Sequence, residues 1–218
     1  AAFNSYSLLD MMDEVLEQEP DVILMYAGHN EFYGGLGAAS TATLGHSRWI
    51  VNLNLRLQKF KTVQAIKETT NWVRKTLSAN SSRKGTGKTL MGQVVGDKAI
   101  LYGDEVYERG RRQFEGNLND ILEKANDAGV PIIIGDLVTN LRDTKPFISI
   151  DSVRGESADQ AYREARDLDS QGRFADAKIK YARSKDLDAL RFRAPEEFID
   201  IIREASQANA VHMVSMRK

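Results

Sequence analysis

One stretch constrains this chain more than any other: Asp21 to Gly35, DVILMYAGHNEFYGG. Val22, Ile23, Leu24, Met25 and Tyr26 form an apolar run without helical spacing, with Pro20 before it and Gly28 after it as breakers. The run predicts a strand. Its lack of polar alternation predicts burial on both faces, as in a parallel α/β sheet. At the strand's carboxyl end the chain turns polar through Gly28-His29-Asn30-Glu31. Open α/β sheets bind ligands beyond the carboxyl ends of their strands. Glycine lets backbone approach a ligand closely, and the Asn30 amide is a donor that does not titrate, suited to a developing oxyanion.

The flanking pattern repeats this unit. Leu8, Leu9, Met12, Val15 and Leu16 recur at helical spacing behind a Ser5 or Ser7 cap. A longer helix is expected over Tyr102–Ala128, with Phe114, Leu118, Ile121, Leu122 and Ala125 inward and Gly129 just past its end. Val130–Ile134 reads as the second strand and delivers Asp136, Thr139, Asn140 and Arg142 at or beyond its carboxyl end. Pro195 opens a further helix with Phe198, Ile199, Ile202 and Ala205 as its stripe, and Val211–Met216 is the third strand. Helix and strand in alternation predict an α/β fold with a parallel sheet.

At 218 residues, with 42% apolar and 28% charged content, the chain can bury a real core. The 30 basic and 31 acidic side chains nearly cancel, so no overall charge calls for a nucleic-acid partner. The absence of cysteine excludes disulfides, thiolate metal sites and cysteine nucleophiles. No apolar run approaches the ~18 residues of a membrane span, and the start lacks a signal-peptide pattern. The chain does not begin with Met, which raises the expectation of a processed, trimmed or incomplete chain. Charge is uneven locally. Residues 1–31 hold seven acids and no base, whereas 48–88 hold ten bases and the single acid Glu68.

Two segments interrupt the α/β pattern. In 46–96, a helical stretch runs from about Ser47 to Leu77, with Ile50, Leu53, Leu57 and Phe60 on one stripe, basic residues mostly off it, and Trp49 and Trp72 near its ends. Two readings stay open: an insertion that packs this stripe on the body, or an interfacial element that meets a membrane surface or an anionic polymer. Within the polar stretch Ala79–Gly96, Gly85-Thr86-Gly87-Lys88-Thr89 is no phosphate loop, because Ser82 stands where the first glycine belongs and no strand leads in. In 157–190, Gln171-Gly172-Arg173-Phe174-Ala175-Asp176-Ala177, then Tyr181 and Leu187-Asp188, are similar to one tetratricopeptide unit. One unit cannot bury a continuous core alone, so a helical hairpin set into the main domain is expected, with a protein partner through 157–190 as the alternative use.

The three histidines, His29, His46 and His212, show no metal-ligand spacing, and no serine sits in a G-x-S-x-G elbow. On a strand His29 and Glu31 would share a face, a weak metal signal, and His212 alternates with apolar residues as a packed strand residue would. No metal and no cofactor are expected.

The strand followed by Gly28-His29-Asn30-Glu31 resembles the third sequence block of the SGNH (GDSL-type) hydrolases, usually Gly-x-Asn-Asp. Asn4-Ser5-Tyr6-Ser7-Leu8-Leu9-Asp10 is similar to the helix after that family's second block. Gly116-Asn117-Leu118 through Ile134 is similar to the helix and strand after its third. The likeness spans the α/β parts, about half the chain, and is greatest to a bacterial group carrying tetratricopeptide-like segments.

The resemblance implies a three-layer α/β/α sandwich over 1–218, with 46–96 and 157–190 as insertions. It implies an esterase-type hydrolase acting on a small ester or acylated carbohydrate by serine acyl transfer. Gly28 and Asn30 would be the oxyanion donors, with His29, Glu31 and Asn140 as substrate-site neighbours. Family habit further implies export or a periplasmic setting. Glu31 stands where the family has aspartate, and His29 is an uncommon filler. The family's Gly-Asp-Ser and Asp-x-x-His blocks are not in this sequence, so the chain is expected to be an incomplete piece of such a domain and to lack esterase activity as it stands. The rival expectation is a catalytically silent body that displays the hairpin to a partner.

Overall fold

A computed structural model describes residues 3–33, 37–39, 48–58, 99–150 and 155–217. The predicted loop over 79–96, His46 and the helical stretch beyond 58 lie outside the described residues. In chain order the elements are α1 (Ser5–Leu16), β1 (Ile23–Met25), α2 (Arg48–Gln58), α3 (Glu105–Asp127), β2 (Ile132–Gly135), α4 (Ala158–Ser170), α5 (Phe174–Leu187), α6 (Glu196–Ala208) and β3 (His212–Val214).

Local chemistry accounts for the helix ends. Neither serine caps α1. Asn4 does, through an Oδ1 that accepts the Ser7 N–H at 3.2 Å. Asp104 caps α3 by accepting the Tyr107 N–H at 2.7 Å. Glu105 and Glu108 in the first turn and Lys124 in the last complement the α3 dipole. Pro195 occupies the N-cap of α6, one position earlier than expected.

The sheet is parallel in the order β1-β2-β3. Ile23 and Met25 pair with Ile132 and Ile134, and Ile134 pairs with Met213. These side chains meet α1, α3 and α6 in the main core, with Met12, Phe114, Leu118, Ile121, Leu122, Phe198 and Ile202. An aromatic stack fixes the centre: Phe198 lies 4.6 Å from Phe114 and 5.7 Å from Phe32, ring to ring. Gly110 on α3 leaves room for it, since a Cβ there would stand 2.5 Å from the Phe32 ring.

The opposite face corrects the expectation of burial on both sides. Leu24, paired with Ile133, is 76% exposed, and Val22, Tyr26, Val214 and Met216 are exposed with it. His212 is also exposed rather than packed. Strand order explains this. Successive steps in one direction with crossovers of one hand put both connecting helices, α3 and α6, on the same face. Among the described residues the fold is therefore a mixed α/β protein with a small parallel sheet and one helical layer upon it.

The hairpin α4–α5 turns at Gly172, as its sequence indicates. Its alanines do not await a second repeat. Ala158, Ala161 and Leu187 pack on Tyr102, while Leu141 joins Ala165, Ala177 and Tyr181. The connector to α6 is held by Asp188, whose carboxylate accepts the N–H groups of Phe147, Ile148 and Leu190 and a guanidinium N–H of Arg193. Buried Arg191 donates to the carbonyls of Ile100 and Asp186 and lies 5.0 Å from the Tyr107 ring centre.

Candidate functional site

Gly28 lies three residues past the end of β1, and its φ is +143°. The backbone angle favours glycine, and a Cβ there would lie 2.6 Å from Leu137 Cδ1, so the leucine side chain would have to shift to admit one. Asn30 follows on the surface, and its Nδ2 donates to the Phe3 carbonyl at 3.2 Å. Gly28 and Asn30 thus sit together at the carboxyl end of the first strand, with Asn30 open to solvent.

Their neighbours serve the scaffold. His29 Nδ1 accepts the Ala194 N–H at 3.1 Å, so the proton of the neutral ring lies on Nε2, which faces the Tyr26 hydroxyl at 3.4 Å. Burial first, and the nearby Lys185 charge second, hold the His29 pKa below its ordinary value. The Val138 N–H also donates to the Tyr26 hydroxyl, at 3.2 Å. His29 and Tyr26 together join the segments after β1 and β2 to the segment before α6.

Glu31 turns inward. Its carboxylate accepts the Ser5 N–H at 2.9 Å and the Ser5 hydroxyl at 2.6 Å, at the N-terminus of α1. Asn117 Nδ2 donates to that hydroxyl oxygen at 3.0 Å, and Arg48 Nε donates to Asn117 Oδ1 at 2.9 Å. Burial raises the Glu31 pKa to about 7 against the opposing pull of the Ser5 hydrogen bonds. Ser5 beside Glu31 has the outline of a nucleophile and base, but Ser5 is fully buried and its oxygen is occupied on both sides. His29 and Glu31 point to different partners, and no cluster able to hold a metal occurs among the described residues. Asn140 is surface-exposed and closes a local turn by accepting the Asp143 N–H at 3.0 Å. No hydrogen bond joins it to residues 28–31.

A second polar group lies at the ends of β2 and β3; the sequence places Asp136 at the strand end, but no spacing announces its partners. Buried Asp136 accepts the Met216 N–H at 2.5 Å and the hydroxyl of exposed Ser215 at 3.1 Å. Beside it Arg217 grips Glu196 with two hydrogen bonds, at 2.7 and 2.9 Å. Glu196 also takes buried Lys185 at 2.6 Å. Asp186 accepts the Glu196 N–H, and burial lifts its pKa to about 6. The charges are mutually satisfied, which marks a structural clamp between hairpin, α6 and sheet. Among the described residues no hydrogen bond joins a serine to a histidine. A cleft of about 630 Å³ opens elsewhere, lined by Val22, Val130, Pro131, Ile133, Val211 and His212 among others.

These features define a mixed α/β protein whose polar groups gather at the carboxyl ends of a parallel sheet. The chain matches no family model, no curated protein and no solved structure.

Proposed function

We propose that this chain carries the oxyanion wall of an SGNH-type ester hydrolase, with the Gly28 backbone and the Asn30 amide as donors. The observation that carries the reading is the loop after β1. A glycine favoured by its backbone angle and packed against Leu137 stands at the strand's carboxyl end, two residues before an exposed asparagine. Backbone and amide donors held at a fixed spacing can stabilise the charge that develops on a carbonyl oxygen under attack. In this reading the substrate is a small ester or acylated carbohydrate. The sheet continues past β1, and a second helical layer on the Leu24 face completes a three-layer sandwich. The nucleophilic serine and its histidine come from sequence other than the described residues.

The test is hydrolysis of p-nitrophenyl acetate. The 218-residue chain is expected to show no turnover above background. A longer product of the same gene bearing Gly-Asp-Ser and Asp-x-x-His is expected to turn over, and Asn30→Ala should lower its kcat about 10²–10³-fold. Turnover that ignores Asn30→Ala sinks the assignment.

A second reading, a body that presents the hairpin to a protein partner, draws on exposed Phe174 and Ile179 of α5. Retained binding of a cellular partner by the catalytically silent chain, lost in Phe174→Ser, would favour it.

A further inference from the structure

Five successive residues after β1 are each held from a different direction. Gly28 packs against Leu137, His29 accepts the Ala194 N–H, Asn30 donates to the Phe3 carbonyl, Glu31 accepts from Ser5, and Phe32 stacks on Phe198 and Tyr107. Of the five, Asn30 alone is exposed. His29 is partly buried, and the other three are buried.

On one side Asn30 is followed by two buried anchors. The Glu31 carboxylate is fixed at the N-terminus of α1, and its hydrogen bonds run on through Ser5 and Asn117 to Arg48 of α2. That helix meets the body by Arg48 and buried Val51, while the stripe of Ile50, Leu53 and Leu57 expected to pack there stays exposed. On the other side the chain has less to hold it. β1 ends at Met25, and Gly28 brings the greatest backbone freedom of any residue type. His29 is the single residue between that joint and Asn30. The one bond Asn30 makes itself, to Phe3, is exposed and 3.2 Å long, and such a bond contributes little on its own. The direction of the Asn30 amide is therefore set by its neighbours.

Both nitrogens of His29 are engaged. Nδ1 takes the Ala194 N–H at 3.1 Å, at the entry to α6, and Nε2 faces the Tyr26 hydroxyl at 3.4 Å. Tyr26 in turn takes the Val138 N–H beyond β2. We propose that His29 is the positioning residue of the Asn30 amide: its ring, tied to Ala194 at the entry of α6, fixes the direction in which Asn30 presents its donor. The purpose of that positioning rests on the hydrolase reading, in which the amide must meet a carbonyl oxygen as charge develops on it. The tie requires a neutral ring, since a protonated Nδ1 has no lone pair for the Ala194 N–H. The groups that face the ring are the Tyr26 hydroxyl and Lys185 of α5. Asp186 lies beside Lys185, and Glu196 of α6 and Arg217 after β3 close the cluster. Burial and the Lys185 charge both favour the neutral ring. Acid therefore releases the amide, and neutral pH holds it.

NMR of the nitrogen-labelled 218-residue chain reads the Asn30 side-chain amide directly. Near neutral pH the amide is expected to be rigid in the wild type and in His29→Asn, whose Oδ1 can still accept, and mobile in His29→Ala. On acidification the wild-type amide should loosen and the His29→Asn amide should not. In the longer gene product, His29→Ala should lower kcat for p-nitrophenyl acetate about 10–10²-fold with KM little changed, and His29→Asn should keep most of it. An unchanged circular dichroism spectrum is expected for both variants. An Asn30 amide that stays rigid in His29→Ala overturns the proposal. So does acid loosening that His29→Asn shares. Turnover that depends on Asn30 but ignores His29→Ala sinks this proposal and leaves the hydrolase reading standing. No turnover from the unmutated longer product sinks the hydrolase reading, and this use of His29 with it.

Discussion

The backbone N–H of Ala194 donates to Nδ1 of His29 at 3.1 Å, across 165 residues of sequence. The bond needs the lone pair of a neutral ring. Protonation would set an N–H against an N–H. The groups facing the ring are the Tyr26 hydroxyl on one side and Lys185 from α5, with Glu196, Asp186 and Arg217 one contact further. Because the folded pKa lies below the ordinary 6.5, the unfolded chain takes up the proton more readily. The stabilisation is complete above about 6.5 and is lost as pH falls through the depressed folded value. Hydrogen exchange should show Ala194 protection falling with acid in the wild type. It should stay level in His29→Asn, whose Oδ1 accepts without titrating. Equal acid sensitivity in both would remove His29 as the cause.

Glu31 works in the opposite sense. Its folded pKa is raised from the ordinary 4.5 to about 7, so its contribution is fully present below about 4.5 and declines as pH rises through about 7. Ionising this buried carboxyl costs on the order of 2–4 kcal/mol. Urea unfolding of the wild type should therefore show falling stability between about pH 5 and 8, and Glu31→Gln should flatten that slope. An unchanged slope would mean that the carboxylate is solvated.

Gly28→Ala should destabilise by about 1–3 kcal/mol, because the angle of +143° and the Leu137 contact both penalise a Cβ. Thermal unfolding reads the loss. Asn30→Ala, with one exposed bond to Phe3, should stay within about 0.5 kcal/mol of wild type. A large stability cost at Asn30 would recast it as a structural residue.

The two faces of the sheet give a paired expectation. Phe198→Ala opens the centre of the aromatic stack and should cost about 3–5 kcal/mol. Leu24→Gln on the open face should cost under about 0.5 kcal/mol. If Leu24→Gln costs as much as a core substitution, that face is covered in solution.

The sequence by itself determined the elements and the class. Apolar runs of strand length lie between segments of helical period, and this pattern gave three strands, the helices that cross between them and the hairpin turn at Gly172. Both signals are local, carried by side-chain spacing and by residues that break it. Gly28 and Asn30 were legible in the same way, as a polar switch at a strand end. Only the tertiary structure decided which faces are used. A run such as Val22–Tyr26 cannot tell whether Leu24 will meet a helix, because strand order and crossover hand settle that. Nor could spacing tell which side of α2 would meet the body. The choice turned on Arg48 finding Asn117 and Asp120, about 70 residues away. The clamp of Lys185, Asp186, Glu196 and Arg217 stayed hidden for the same reason. Its partners come from the hairpin, α6 and the segment after β3, and their pairing is a property of the assembled fold.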